Sequence, residues 1–352
     1  MAKPLILLTG ATGHIGFRTL VVALRSGYAV RIAIRKPEQE SKIRNAASIQ
    51  PHTSSLSFAL VPDMAAPEAF STAMQGAHYA IHVASPIPLM PDVQASLGEG
   101  KSFREVLYDP AVKGTLEVLR AAAKTETLRR VVVTASGNIL AVTVGIPGAR
   151  PTDIRPCPTE EEADATTVPG QAYKTSKILA VSAAQKFMRE EKRGFDVVYA
   201  CPGYVQGAHE LAGSVEELLT STSQATVDTA RGRGLGWPPL APNVTSQIWV
   251  EDVARAHVDA LASADVKAND VLVLAGNGEH SAKWSEVGRL IGEMFPEEVD
   301  KGDLKPKTDQ ECFDLPFDGT GTEEKLGWKY AGKEVWIKET VDQYLKLREK
   351  ST

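Results

Sequence analysis

The stretch Leu5-Ile6-Leu7-Leu8-Thr9-Gly10-Ala11-Thr12-Gly13-His14-Ile15-Gly16 decides the fold. A short apolar run of strand character ends in a glycine-rich turn, and residues 15–26 beyond it carry a helical period. A strand that ends in such a turn and opens a helix leaves backbone N–H groups unpaired at the helix start, where negative charge is favoured. In this spacing one glycine permits the tight turn and the next lets the backbone approach a pyrophosphate. The third lets helix and strand pack closely. The turn implies a dinucleotide-binding βαβ unit.

Outward from the turn, short runs rich in Val, Ile and Leu alternate with longer helical stretches. Strands are expected at residues 5–9, 29–34, 56–61, 79–83, 130–134 and 196–200, and helices near 15–26, 66–75, 109–124 and 171–193. The rhythm predicts an α/β fold, a Rossmann-type doubly wound parallel sheet of six strands. After Pro202 the texture becomes polar and glycine-rich, with Thr220-Ser221-Thr222-Ser223, Gly232, Gly234, Gly236 and Pro238-Pro239. Strand-like segments return at 247–250 and 271–275, with helices at about 252–262, 285–295 and 332–348. Residues 1–205, with a return segment at 246–275, are expected to form the dinucleotide-binding domain. Residues 206–245 and 276–352 make a smaller, mostly C-terminal substrate-binding lobe. The Pro-rich, acidic residues 145–170, with Glu160-Glu161-Glu162, read as a solvated loop.

A chain of 352 residues can bury a large core without staples, and 43% apolar with 24% charged residues is an ordinary globular composition. Thirty-nine basic against 44 acidic residues give a net charge of −5, which leaves no basic excess for nucleic acid. Cys157, Cys201 and Cys312 lie far apart with no C-x-x-C pair, so neither a disulfide framework nor a cysteine zinc site is encoded. No apolar run reaches membrane-spanning length, and the N-terminus has no signal-peptide core. The expectation is a soluble cytoplasmic protein, monomer or homodimer, without a nucleic-acid, membrane or metal partner.

The second strand bears on the cofactor. A site for NAD would end this strand in Asp or Glu, which accepts from the ribose 2′-OH, whereas here it ends in Ala33-Ile34-Arg35-Lys36. Arg35 can pair with a 2′-phosphate, with Lys36 or Lys42 adding charge, which points to NADP(H). Asp63, in Val61-Pro62-Asp63-Met64, is placed either to meet the adenine amino group or simply to start a turn.

Tyr173-Lys174-Thr175-Ser176-Lys177 lies in a helical segment, so Tyr173 and Lys177 share one face. An ammonium one turn away favours the phenolate and is expected to lower the tyrosine from its free value of about 10. Lys177 can also hold the nicotinamide ribose. Ser136, just past the fifth strand, is at the carboxyl end of the sheet, where it can hydrogen-bond a substrate oxygen. Thr134 is a less well placed competitor.

The order T-G-x-x-G-x-x-G, Ser, Y-x-x-x-K resembles the extended short-chain dehydrogenase/reductase superfamily over essentially the whole chain. His82-Val83-Ala84-Ser85-Pro86, Arg35, Cys201-Pro202-Gly203-Tyr204-Val205 and Trp249-Val250-Glu251-Asp252-Val253-Ala254 are similar to its dihydroflavonol reductase, cinnamoyl-CoA reductase and yeast-type aldehyde and ketone reductase branch. The resemblance implies Ser136, Tyr173 and Lys177 as the catalytic set. The implied cofactor contacts are Thr9, Gly10, Thr12, Gly13, His14, Ile15 and Gly16 on the turn, Arg35 and Lys36, Asp63 and Met64, Ala84 and Ser85, Pro202 and Val205, together with Tyr173 and Lys177.

Two departures matter. Where many members carry N-G-T before the fifth strand, this chain has Lys113-Gly114-Thr115, so an Asn-assisted water relay does not carry over. Ser136-Gly137-Asn138 lacks the aromatic residue that sugar-nucleotide epimerases place after the Ser. His78 and His82 have no third ligand at suitable spacing, and Gly100-Lys101-Ser102 lacks the rest of a Walker loop.

The expectation is an NADPH-dependent reductase of an aldehyde or ketone. An epimerase, dehydratase or hydroxysteroid dehydrogenase on the same fold, or a silent dinucleotide-binding regulator, is the alternative. Residues 85–104, 138–170 and 204–245 should line the pocket. Pro86, Ile87, Pro88, Leu89, Met90, Tyr204 and Trp237 either form an apolar chamber or pack under loops.

Overall fold

The computed structural model describes residues 3–88, 90–141, 149–190, 194–234, 245–276, 278–312 and 317–350. Its strands are β1 (Leu5–Thr9), β2 (Ala29–Ile34), β3 (Leu56–Leu60), β4 (Tyr79–His82), β5 (Arg130–Thr134), β6 (Asp196–Pro202), β7 (Tyr204–Gln206), β8 (Gln247–Trp249) and β9 (Val271–Leu274). Seven of them form one parallel sheet in the order β3-β2-β1-β4-β5-β6-β9. The chain winds from β1 to β3 in one direction and from β4 to β9 in the other, so the order reverses between β1 and β4. This is the doubly wound arrangement, with a crevice at the carboxyl ends of β1 and β4.

Alternate side chains of each strand point to opposite faces, and both faces are covered. Ile6, Leu8, Val30, Ile32, Val132 and Val198 pack with the helices His14–Arg25 and Val250–Asp259 on one side. Leu7, Ala80, Val131, Val133, Val197 and Tyr199 join the core on the other, where the helices Asp109–Ala123 and Pro169–Glu190 pack together. A third apolar cluster stands apart from the sheet. It joins Leu218 and Val227 to Trp284, Val287 and Ile291 of the helix Trp284–Met294 and to Trp336 and Val341 of the helix Lys333–Glu349.

The sheet has seven strands rather than six, because β9 adds beside β6 with Tyr199 opposite Val271. The helix expected at 66–75 is a run of turns. Pro67 has no N–H, Glu68 takes φ +60°, and the Glu68 N–H donates to Glu117 Oε2 at 2.8 Å rather than to a helical carbonyl. Part of the acidic loop is also helical. Thr159 Oγ1 accepts from the Glu162 N–H while Glu162 Oε2 accepts from the Thr159 N–H at 2.8 Å, a reciprocal cap that starts the helix Glu160–Asp164. Residues 142–148 and 191–193, on which parts of the loop and helix expectations fall, lie outside the described residues.

At the amino ends of β5 and β6 a forked ion pair ties three elements together. Arg130 donates to Asp196 Oδ1 and Oδ2 at 2.6 and 2.8 Å, and to the carbonyls of Ala260 and Val266 at 2.6 and 2.9 Å, just past the helix Val250–Asp259. Arg130→Leu removes the donor to a half-buried carboxylate and to three carbonyls, Ser263 O at 3.3 Å being the third. It is expected to cost about 2–4 kcal/mol in urea unfolding. Because the pair sits at the end of the sheet opposite the crevice, activity per folded molecule should not change.

Candidate active site

At the end of β1 the chain turns so tightly that side chains are excluded. Gly10 takes φ +77°, and a Cβ there would stand 2.7 Å from the Ala84 backbone nitrogen. A Cβ on Gly16 would stand 2.1 Å from Gly10 O. Gly13 differs, since it is exposed, has extended φ, and a Cβ would meet only Gly10 O, at 3.5 Å. The protein leaves space at Gly13, as a turn that receives a pyrophosphate requires. No side chain caps the helix that follows, and no acid lies in its first turn, so its leading N–H groups remain available to an anion.

The surrounding side chains hold this turn in shape. Thr9 Oγ1 accepts from the Ala84 N–H at 3.1 Å and shares a hydrogen bond with His82 Nδ1 at 2.9 Å, with the buried His82 imidazole held neutral, its pKa pushed down to about 3. The Thr9 hydroxyl is therefore engaged inside the protein. His14 Nε2 donates to Ala208 O at 3.1 Å, and burial together with the His209 ring 5.4 Å away pushes its pKa down to about 3. Thr12 is half-buried, Ile15 packs partly onto the core, and Val205 turns wholly into it. His78 Nδ1 accepts from the Leu5 N–H at 3.2 Å, so both histidines that flank β4 serve the sheet.

At the end of β2, Gln39 Oε1 accepts from the N–H groups of Arg35 and Lys36 at 2.7 and 3.2 Å, and both side chains are exposed. Lys42 pairs with Glu217 at 3.1 Å. Asp63 Oδ1 accepts from the Ala65 N–H at 2.8 Å, the turn-starting role. Met64 packs on Gly114 of the helix Asp109–Ala123, where an added Cβ would approach its side chain to 3.0 Å. The neighbouring Lys113 points to solvent and pairs with Asp109 at 3.0 Å, so it does not stand in for the absent Asn.

Ser136 is buried just past β5 and caps the short turn Gly137–Ile139, its Oγ accepting from the Asn138 N–H at 3.3 Å. It stands close enough to the Tyr173 phenol to act on its proton. Tyr173 and Lys177 lie one turn apart on the helix Pro169–Glu190, with Lys177 Nζ 5.9 Å from the centre of the Tyr173 ring. The Lys177 ammonium is buried and donates to Thr134 O at 3.1 Å. Thr134 is excluded as a competitor to Ser136, because its hydroxyl donates to His257 Nε2 at 2.8 Å while His257 Nδ1 bonds Val253 O.

The expected lowering of the tyrosine pKa is not what the geometry gives. Burial raises Tyr173 above its ordinary value, with the neighbouring Ser136 hydroxyl opposing. Lys177 instead carries the larger perturbation. Buried and, among the described residues, without a carboxylate partner, it is pushed down to about 8. The adjacent Cys201 thiol is pushed up to about 12 by burial and stays neutral. The free site is thus a protonated phenol beside an ammonium that gives up its proton easily.

Ala84 and Ser85 are half-buried where β4 leaves the sheet, and Pro202 is buried at the end of β6. Of the apolar set, Pro86, Ile87 and Met90 are half-buried and Pro88 is buried, while Tyr204 meets Trp284 edge to face at 6.0 Å in the third cluster. Leu89 and Trp237 lie outside the described residues. Three participants were missed in sequence: Asp92 against Arg35, His257 behind Thr134, and Phe317, whose ring fills the space above Gly137. Only long-range contact reveals them, since none lies within fifty residues of its partner.

A glycine turn open to a pyrophosphate, with Ser, Tyr and Lys gathered at the same crevice, defines a class of enzymes that hold a nicotinamide dinucleotide and exchange hydride with a small molecule. The chain belongs to the NAD dependent epimerase/dehydratase family, whose profile matches residues 6–275. It is 32% identical to ketoreductase CTB6 of Cercospora nicotianae, over 99% of this chain and 97% of that one. It is 30% identical to cinnamoyl-CoA reductase CAD2 of Medicago truncatula, over 98% and 96%. Yeast methylglyoxal/isovaleraldehyde reductase Gre2, solved with NADPH, shares the fold with a TM-score of 0.76 at 21% identity, over 98% of this chain and 99% of that one. The protein is an oxidoreductase of the extended short-chain dehydrogenase/reductase type. Among the described residues no helix is long and apolar enough to cross a membrane.

The three glycines are separable by experiment. Gly16→Ala forces a Cβ into a backbone carbonyl and should cost more than about 2 kcal/mol of stability. Gly13→Ala should change stability by under about 1 kcal/mol yet weaken dinucleotide binding by about tenfold or more. Urea unfolding and a fluorescence titration read the two effects.

Proposed function

We propose that this protein is an NADPH-dependent carbonyl reductase that converts an aldehyde or ketone, hydrophobic or aromatic in character, to its alcohol. The observation that carries the reading is the placing of Ser136 beside the Tyr173 phenol, with Lys177 one turn behind, at the carboxyl end of β5. The bound cofactor supplies hydride to the carbonyl carbon. Ser136 orients the carbonyl oxygen, and Tyr173 donates its proton to the alkoxide as charge develops there. Lys177 anchors the nicotinamide ribose and stabilises the phenolate that Tyr173 becomes. The Gly10–Gly16 turn and its helix receive the pyrophosphate, and Arg35 receives the 2′-phosphate.

Residues 1–205 with 246–275 are proposed as the cofactor-binding unit, and 206–245 with 276–352 as the substrate lobe. The half-buried Pro86, Ile87 and Met90 support an apolar substrate. Three free cysteines support a reducing, cytoplasmic setting. The family name embraces epimerases and dehydratases, which regenerate their cofactor within each cycle. Stoichiometric consumption of NADPH with a carbonyl substrate separates the readings.

Tyr173→Phe should lower kcat by about a hundredfold or more while NADPH binding persists; full activity would overturn the mechanism. Arg35→Ala should weaken NADPH by about tenfold to a hundredfold with little change for NADH. The ammonium of Lys177 is the working form, present below about 8 and lost as pH rises through that value. Tyr173, with its pKa raised, stays protonated over the same range. In the reduction direction kcat/KM for NADPH, which reports groups of the free enzyme, should therefore fall above about pH 8. A profile flat to about pH 10 would contradict this role for Lys177.

A further inference from the structure

The guanidinium expected to receive the 2′-phosphate already has a partner. Arg35 Nη1 lies 3.2 Å from Oδ2 of Asp92, in the first turn of the helix Pro91–Gly98. Arg35 follows β2 and Asp92 follows β4, and in the sheet β1 stands between those two strands. The ion pair therefore reaches from one side of β1 to the other at the end of the sheet that carries the Gly10–Gly16 turn.

The two partners are held differently. The backbone at Arg35 is fixed by Gln39, whose side-chain oxygen takes two N–H groups of the turn. Asp92 makes one other bond, from Oδ1 to the N–H of the next residue, Val93, at 3.1 Å. Among the described residues Arg35 is its one partner from another element. With side chains 55% and 58% exposed, the pair is of the weak, solvent-screened kind. A phosphate dianion is the stronger partner for a guanidinium, so an arriving 2′-phosphate takes Arg35 and meets Asp92 as a like charge. A 2′-hydroxyl brings no charge, and the ion pair remains.

We infer that Asp92 is a specificity-determining residue: it occupies Arg35 in the free chain and must release it to a 2′-phosphorylated dinucleotide, which narrows the preference for NADPH over NADH. The same release unfastens the segment after β4, which includes Ala84 and Ser85, from the end of β2. This inference rests on the reading of Arg35 as the 2′-phosphate site.

The experiment is a double-mutant cycle read by binding, with dissociation constants for NADPH and NADH measured on the full chain by fluorescence titration. Asp92→Asn should tighten NADPH by about threefold to fivefold and leave NADH within about twofold. In an Arg35→Ala background the same substitution should keep only the smaller gain on NADPH that comes from removing a like charge, so that the two substitutions couple. If Arg35→Ala weakens NADPH selectively but Asp92→Asn leaves NADPH unchanged or weaker, Asp92 is a surface charge only and the inference falls alone. If Arg35→Ala weakens both dinucleotides equally, the 2′-phosphate reading falls and the inference with it. A parallel shift of both dinucleotides in Asp92→Asn would mark a structural role and overturns the inference as well.

Discussion

Everything at the crevice depends on how closely three backbone segments approach one another. The end of β1, the start of the helix His14–Arg25 and the exit from β4 meet at Gly10 and Gly16, where an added Cβ would stand 2.7 Å from Ala84 N or 2.1 Å from Gly10 O. That approach brings the uncapped helix start over the sheet, where its N–H groups share one direction. It also directs the chain leaving β4 across the top of β1, with the Thr9 hydroxyl bonded to the Ala84 N–H as a fastener. The meeting of Asp92 with Arg35 thus depends on a contact at the exit of β4 whose partners, Thr9 and Ala84, are 75 residues apart in the chain.

What the sequence disclosed was local. The β1 run, the glycine turn and the helix behind it are contiguous, and their periodicities are visible in a dozen residues. Tyr173 and Lys177 are legible for the same reason, since four residues on a helix guarantee a shared face. Non-local pairing was not legible. The stretch at β9 has strand composition, but only its neighbour β6 decides that it becomes the seventh strand of the main sheet. The turn at 66–75 has helical spacing, yet the Glu117 carboxylate draws off the Glu68 N–H and the local conformation gives way to a tertiary contact.

The site residues divide along the same line. Ser136 could be placed at the end of β5, but its preference over Thr134 is set by His257, 123 residues beyond Thr134, which takes the Thr134 hydroxyl. The direction of the tyrosine shift has a related cause. A sequence shows the charge spacing between Tyr173 and Lys177 but not their burial, and burial acts on each group in the direction that favours its neutral form.

A net charge of −5 hides a consistent arrangement of cations. The rim cations Arg35 and Lys42 are each paired with an acid from a segment outside the nucleotide-binding turn, Asp92 and Glu217. Lys177, deep in the crevice, has no acid among the described residues and bonds only a backbone carbonyl in compensation. An acid beside Lys177 would stabilise the ammonium but, on the proposed mechanism, would oppose the negative charge that a substrate oxygen gains nearby. Burial depresses the Lys177 pKa in the free chain with no acid to offset it, and on the proposed mechanism that leaves the positive field of the site directed at Tyr173 and at the oxygen it would protonate. On the rim the opposite holds, because an exposed cation loses little by pairing with a carboxylate that a stronger anion can displace.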